Sequence, residues 1–172
     1  ALIEANGSVY IISTGGKVTN RAGIIAGKNF ATASAASLFN LRARARAVGN
    51  GSVVISGSSG VINDTNDSIQ ANDSVLLESS AGDISNSSSI TASNGSVEIN
   101  GNGDINNTGT NISAGNNVGI TATTGTLRNS SAITAANNVS IKSTTGAVEN
   151  SSAVSTSGSV EISGSNVSNS GT

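Results

Sequence analysis

One unit of 21 to 23 residues recurs along almost the whole chain, and it consists of three short apolar steps separated by Gly, Asn and Ser. The copy at 75–97 shows the three steps in order: Val75/Leu77, Ile84/Asn86 and Ile90/Ala92. A unit this short cannot bury its apolar side chains alone, so neighbouring units have to stack on one another. The repeat therefore predicts a solenoid, and it favours a scaffold or an adhesive rod over an enzyme.

Each step alternates residues in the period-two pattern of a half-buried strand. Val and Ile dominate the steps, and β-branched residues favour strands, while no segment shows a sustained apolar stripe with helical spacing. Three strands per unit, each paired in parallel with its copy one unit along, make an all-β, right-handed parallel β-helix of about eight coils. The rise per coil is the distance between neighbouring strands, ~4.8 Å, so the rod is roughly 38 Å long.

The register of the steps can be followed from one end of the chain to the other. First steps begin with these residues: Val9, Phe30, Val53, Val75, Val97, Val118, Val139 and Val160. Third steps begin with these residues: Ile3, Ile24, Ala47, Ile69, Ile90, Ile112, Ile133 and Val154. The segment 31–47, rich in Ala and Arg, is the best candidate for a helix, but its Ala and Arg residues alternate from 42 to 47. We therefore expect the segment 30–49 to form an irregular coil that contains a strand.

Every second step ends on asparagine, which predicts a structural Asn column: Asn20, Asn40, Asn63, Asn86, Asn107, Asn129, Asn150 and Asn169. Stacked Asn side chains can donate and accept hydrogen bonds from one coil to the next, as in the Asn ladders of cross-β structures. Alternatively, each Asn lies at a bend and bonds to the local backbone in an Asx turn. Both interpretations are structural, and we favour them over a catalytic array because a buried amide is costly unless it is hydrogen-bonded.

Composition excludes several classes of function. The 172 residues include no Cys and no His, which excludes a disulfide framework, ordinary zinc sites and hydrolysis by a triad, and we expect no cofactor. A net charge of −2 implies no nucleic-acid partner, and no apolar run is long enough to insert in a membrane. Low hydrophobicity could indicate disorder, but the periodic Val and Ile argue against it.

Both ends of the sequence fall inside a unit. Ile3/Ala5 matches a third step, and Val167/Asn169 matches a second step. We therefore expect residues 1–172 to be a single β-helix fragment of a longer repeat array.

Arg42, Arg44 and Arg46 form the only dense cluster of charge. If the intervening Ala residues face inward, the three guanidinium groups project from one strand and could bind an acidic glycan or a phosphate. The alternative is that they pair with Asp64 and Asp67 one coil along, in exposed salt bridges that contribute little. We favour this second interpretation.

Tyr10, Val54 and Leu76 occupy the outward middle position of the first step, with Ala31 between them in the coil at 30–32. Later coils carry more polar residues at this position, so the first coils expose more apolar surface. A partner could cover this patch, although scattered exposed aliphatic side chains need no explanation.

Two acidic residues, Asp83 and Asp104, occupy equivalent positions in adjacent coils. Paired carboxylates ~5–10 Å apart can cleave glycosidic bonds, which makes a polysaccharide-acting enzyme the third hypothesis. No sugar-binding aromatic residue accompanies them, and Thr126 and Ala147 replace them in later coils. The segment 101–104 is only faintly similar to a calcium-binding repeat. We predict neither a catalytic site nor a metal site.

The pattern of an N-x-V-x-I step, a Gly bend, a V/I-x-N step and an I-x-A step resembles the haemagglutinin repeats of filamentous two-partner-secretion exoproteins. Segments 117–120, 127–129 and 133–135 show it well, and the resemblance is closest over 50–172. It implies a right-handed β-helix that is exported through an outer-membrane transporter to the surface of a Gram-negative bacterium. The chain has no Pro, so the Asn-Pro motifs of that family's secretion domain are absent from it.

The resemblance implies adhesion or contact-dependent delivery of a toxin. Our leading hypothesis is a structural rod segment that presents an adhesive or toxin module of a parent protein to a target-cell receptor or glycan. The alternative is a recognition module centred on the irregular coil at 30–49.

Overall fold

The computed structural model describes residues 2–5, 9–13, 16–20, 23–26, 30–35, 38–41, 45–47, 50–63 and 68–172. All regular structure within these residues is β-strand, arranged in three parallel sheets of eight strands each. This confirms the all-β parallel β-helix predicted from the repeat. The described residues contain no helix that is long and apolar enough to cross a membrane.

Strands of each sheet come from equivalent steps of successive units. Sheet A contains β1 (Leu2–Ala5), β4 (Gly23–Ala26), β7 (Ala45–Ala47), β10 (Ser68–Ala71), β13 (Ser89–Ala92), β16 (Asn111–Ala114), β19 (Ala132–Ala135) and β22 (Val154–Thr156). Sheet B contains β2 (Val9–Ser13), β5 (Phe30–Ala35), β8 (Ser52–Gly57), β11 (Val75–Ser79), β14 (Val97–Gly101), β17 (Val118–Ala122), β20 (Val139–Ser143) and β23 (Val160–Ser163). Sheet C contains β3 (Val18–Asn20), β6 (Leu38–Leu41), β9 (Gly60–Asn63), β12 (Asp83–Asn86), β15 (Ile105–Asn107), β18 (Leu127–Asn129), β21 (Val148–Asn150) and β24 (Val167–Asn169).

Like residues lie over like residues along the axis, because each strand pairs with the strand three places along the chain. In sheet B, for example, Val75 pairs with Val97 and Leu77 pairs with Ile99. All four side chains are completely buried. Burial of a side chain of this size stabilises the fold by roughly 1.5–3 kcal/mol, so the stacked Val and Ile columns are the main source of stability.

Coil 30–49 continues all three sheets, but three predicted steps in it are wrong. Sheet B pairs Ala31 and Ala33, not Phe30 and Thr32, with Val53 and Ile55. A slip of one residue exchanges the two faces of a strand. This register pairs Ala35 with Gly57, which is buried and in turn pairs with the buried Ser79. Thr32 rather than Ala31 therefore lies between Tyr10 and Val54.

The other two steps of this coil are also displaced. Sheet C pairs Phe39 and Leu41, not Leu38 and Asn40, with Val61 and Asn63. This register pairs an apolar residue, Phe39, with Val61. Sheet A pairs Ala45 and Ala47, not Ala47 and Gly49, with Ile69 and Ala71, so two methyl groups rather than one are buried.

Glycine occupies bends where neighbouring coils touch. A Cβ atom added to Gly125 would overlap the backbone of Gly103 and Asp104 in the preceding coil. Gly60 adopts a φ of 145°, which side-chain-bearing residues rarely adopt. The Gly bends predicted from the sequence are thus required by the close approach of stacked backbones.

Deletion of residues 97–117 should leave a cooperatively folded β-helix. This deletion removes one whole coil and brings Val118 to the place of Val97, so every column keeps its register. We expect a β-sheet circular dichroism spectrum and a single thermal transition at a slightly lower temperature.

Deletion of residues 97–107 is the matched control. It removes fewer residues but joins a sheet A strand to another sheet A strand, so it should abolish the cooperative transition. Equal tolerance of the two deletions would contradict the axial register.

Candidate functional site

A continuous ladder of hydrogen bonds links the asparagines of sheet C from Asn63 to Asn169. Each side-chain Nδ2 donates to the Oδ1 of the asparagine one coil along. The distances from Asn63 through Asn86, Asn107, Asn129 and Asn150 to Asn169 are, in order, 2.6, 2.7, 2.6, 2.7 and 2.7 Å. The interior members of the ladder are almost completely buried. The ladder therefore supplies the hydrogen bonds that buried amides need.

The same amide groups also close local turns. Asn86 Nδ2 donates to the carbonyl of Ser88 at 3.0 Å, and Asn129 Nδ2 donates to the carbonyl of Ser131 at 2.9 Å. Asn150 bonds in the same way to Ser152. The two interpretations left open by the sequence are therefore combined at Asn86, Asn129 and Asn150, because each of these NH₂ groups gives one hydrogen to the ladder and one to its turn.

The ladder ends at Asn63. Leu41, not Asn40, is the sheet C partner that precedes Asn63, so the prediction of Asn40 as a member of the column is wrong. Asn63 Oδ1 is buried and has no hydrogen-bond partner in the described part of the chain. Asn20 pairs with Leu41 through the backbone, and the side chains of Asn20 and Asn40 lie outside the described residues.

A second polar column lies just before the first step of each coil, and sequence reasoning gave it no role. The accepting residues are Ser52, Ser74, Ser96, Asn117 and Asn138. Each side-chain oxygen accepts the backbone N–H of the equivalent residue one coil along, at 3.0 to 3.3 Å. The sequence signal was present, since Ser or Asn precedes the Val in each of these coils.

Asp83 and Asp104 serve the same purpose before the second step. Asp83 Oδ1 accepts the N–H of Asp104 at 2.8 Å, and Asp104 Oδ1 accepts the N–H of Thr126 at 2.7 Å. Both carboxylates thus have a structural role in joining coils. The described residues contain no group of three or more acidic residues that could hold a metal ion.

Arg46 is the only member of the arginine cluster that the structure describes, since Arg42 and Arg44 lie outside the described residues. It projects outward between the buried Ala45 and Ala47. Its predicted partners Asp64 and Asp67 also lie outside the described residues, and no described carboxylate pairs with Arg46.

Two apolar side chains of β2, Tyr10 and Ile12, are 64 % and 63 % exposed on the outer face of sheet B. Val54 and Leu76 belong to the same outward column as Tyr10 but are half-buried. The most exposed large apolar side chains among the described residues are thus in the first coil, while Val160 and Val167 are also exposed in the last coil.

Glu98 follows Leu76 in this outward column and Gly119 follows Glu98. The carboxylate of Glu98 lies over Gly119 and fills the space that a side chain would occupy there. This partial burial raises the pKa of Glu98 above the ordinary range of glutamate, because desolvation penalises the ionised form.

The outer face of sheet C carries a groove of about 510 Å³ that crosses β15, β18, β21 and β24. Asn106, Arg128, Glu149 and Ser168 form its central outward column. Arg128 Nε donates to Glu149 Oε2 at 3.2 Å, and both side chains are about half exposed. Sequence reasoning missed this groove.

Comparison with protein-family models, with curated proteins and with solved structures finds no match to the chain.

Asn107→Ala should destabilise the fold by roughly 2–4 kcal/mol, because it removes two ladder hydrogen bonds and leaves buried partners unsatisfied. Asn63→Ala should cost less, roughly 0.5–1.5 kcal/mol, since it removes one ladder bond together with an unpaired buried oxygen. Denaturant unfolding of the two variants measures the difference. An equal cost for both would show that the ladder does not act as a connected column.

Glu98→Gln should change how stability depends on pH. A carboxyl group whose pKa is raised on folding binds its proton more tightly in the folded chain, so stability falls as pH rises from the ordinary glutamate range through the raised value. Glutamine removes this loss, and the variant should therefore gain stability relative to the parent chain at pH 7 but not at pH 3. Glu161→Gln, on the same outer face but exposed, is the control for charge removal. An identical gain in both variants would exclude burial as the cause.

Proposed function

We propose that the chain is a structural rod segment of a large secreted or surface-exposed bacterial exoprotein of filamentous haemagglutinin type. The observation that carries this proposal is the continuity of three parallel sheets from the first coil to the last, with equivalent residues in register. Such a rod holds an adhesive or toxin module of the parent protein away from the cell surface.

The hydrogen-bond columns support a load-bearing role. The Asn ladder, the Ser/Asn column and the Asp83–Asp104 pair all bond parallel to the rod axis. Together with the strand-to-strand backbone bonds they join every pair of neighbouring coils from 52 onward through several bonds at once. A force along the axis is then shared among many bonds.

Export is supported by the chemistry of the chain and by its repeat pattern. The absence of Cys suits passage through an outer-membrane transporter as an unfolded chain. Each folded coil offers a template of strand edges for the next, so folding can propagate as the chain emerges. With the resemblance of the repeat to exported exoproteins, these features support our proposal that the parent protein acts at the surface of a Gram-negative bacterium.

A recognition module is the second candidate, and the observation that favours it is the exposed guanidinium of Arg46. Arg46 lies beside Gln70, Asn72 and Thr91 in a groove of about 480 Å³ on sheet A. A cation next to amides and hydroxyls could bind an acidic glycan. A rod could also carry such a site, so an experiment is needed to separate the two functions.

Binding of the purified chain to epithelial and bacterial cells tests the rod against the recognition module. A rod segment should show no saturable binding that depends on the arginine cluster, measured by flow cytometry with a fluorescent label. Saturable binding that is lost when Arg42, Arg44 and Arg46 are all changed to Ser would instead establish the recognition module. A second triple variant, in which Ser89, Ser113 and Ser155 of the same sheet are changed to Ala, is the control for nonspecific effects of surface substitution.

A further inference from the structure

We infer that the groove on the outer face of sheet C is a binding site for a neutral oligosaccharide lying parallel to the rod axis. The inference goes beyond the rod proposal and does not depend on it. It rests on the shape of the groove, on the planar polar groups along its centre and on the hydroxyl groups along one wall.

The groove has the dimensions of a short glycan. It crosses four consecutive strands of sheet C, from Asn106 to Ser168, which at one strand spacing per coil is roughly 14 Å. That length takes about three sugar rings. The groove is open at the surface, so a polymer can enter from the side.

Three planar polar side chains follow one another along the centre. Asn106 makes no hydrogen bond with the described residues, so its amide is free both to donate and to accept. Arg128 and Glu149 hold one another through a single bond between Nε and Oε2. This leaves the two terminal nitrogens of Arg128 as donors and Glu149 Oε1 as an acceptor for a ligand.

Hydroxyl groups line one wall beside this column. Thr108 and Ser151 donate to the carbonyls of Asn86 and Asn129 in the preceding coil, and both residues are exposed. Their donor hydrogens are therefore used within the protein, and their oxygens face outward as acceptors. Sugar hydroxyl groups both donate and accept hydrogen bonds. They can therefore donate to the hydroxyl oxygens of the wall, and they can bond to both the donors and the acceptors of the central column.

The net charge of the groove and the apolar residues in its lining indicate which class of ligand it would bind. Arg128 and Glu149 cancel, which gives the groove no net charge and no preference for an acidic polymer. Ala147 is the one partly exposed apolar residue in the lining. The outer column of sheet A lacks this combination, since after Gln70 it contains only hydroxyl groups.

Titration of the ¹⁵N-labelled chain with cellohexaose, mannohexaose, chitohexaose and maltohexaose tests the inference. We expect at least one of them, at millimolar concentration, to shift the backbone amide signals of β15, β18 and β21. Asn106→Ala, Arg128→Ala and Glu149→Ala should each weaken that binding by about tenfold, because each removes a polar partner of the ligand. All three side chains point outward, so the variants should keep the thermal transition of the parent chain.

Matched variants and probes make the outcome decisive. Thr91→Ala and Ser113→Ala, outward on sheet A, should leave the affinity unchanged. Binding should also be insensitive to salt, since no net charge is engaged. The inference is overturned if none of the four sugars binds, or if the sheet A variants weaken binding as much as the sheet C variants. Preference for hexagalacturonate or for the extended hexapeptide Ser-Gly-Asn-Thr-Gly-Ser over the neutral sugars would also overturn it.

Discussion

Parallel pairing of each strand with its own copy one coil along is the constraint on which the rest of the structure depends. A spacing of ~4.8 Å between coils places every side chain against the equivalent side chain of its neighbours. The contacts, space and hydrogen-bond partners that a side chain requires therefore have to come from the equivalent positions of the adjacent coils. Stacked Val residues, such as Val75 and Val97, require only apolar packing against one another. Glycine satisfies this constraint at the bends, where any side chain would enter the neighbouring backbone.

Polar residues inside the stack are subject to a stricter form of this constraint, because each buried polar group needs a hydrogen-bond partner as well as space. An amide has two donor hydrogens and an acceptor oxygen, so identical amides can bond to one another along the column and still bond to a local carbonyl, which a hydroxyl with its single hydrogen cannot do. This explains why Asn suits the buried column of sheet C, whereas Ser, Asn and Asp all occur where the partner is a backbone N–H and only an acceptor is needed. At the end of the ladder, Asn63 Oδ1 is left unpaired among the described residues.

The repeat was enough to predict the fold and the register from residue 50 onward, because alternating Val and Ile leave only one face to bury. It failed at 30–49, where Ala31, Ala33 and Ala35 alternate with residues of similar size and neither face is clearly apolar. Only pairing with Val53 and Ile55 settles which set occupies the column, and that pairing is a tertiary property. The roles of Asp83 and Ser74 were missed for the same reason, since their partners are backbone groups about 21 residues away. The sheet C groove depends on the shape of successive bends, which a linear pattern does not contain.

Axial stacking also decides where this chain is free to vary. Inward positions and bend glycines are fixed by their neighbours, but outward side chains contact mainly solvent and the outward residues of adjacent coils. The outer column of sheet B accordingly changes from Tyr10 to Glu98 and then to Gly119 within a few coils. A distinct surface can therefore arise on one stretch of the rod without disturbing the interior. On such a scaffold we expect binding sites where unlike outward residues follow one another, as Asn106, Arg128 and Glu149 do. A column of identical residues needs no ligand to account for it, because its members bond to or pack against one another.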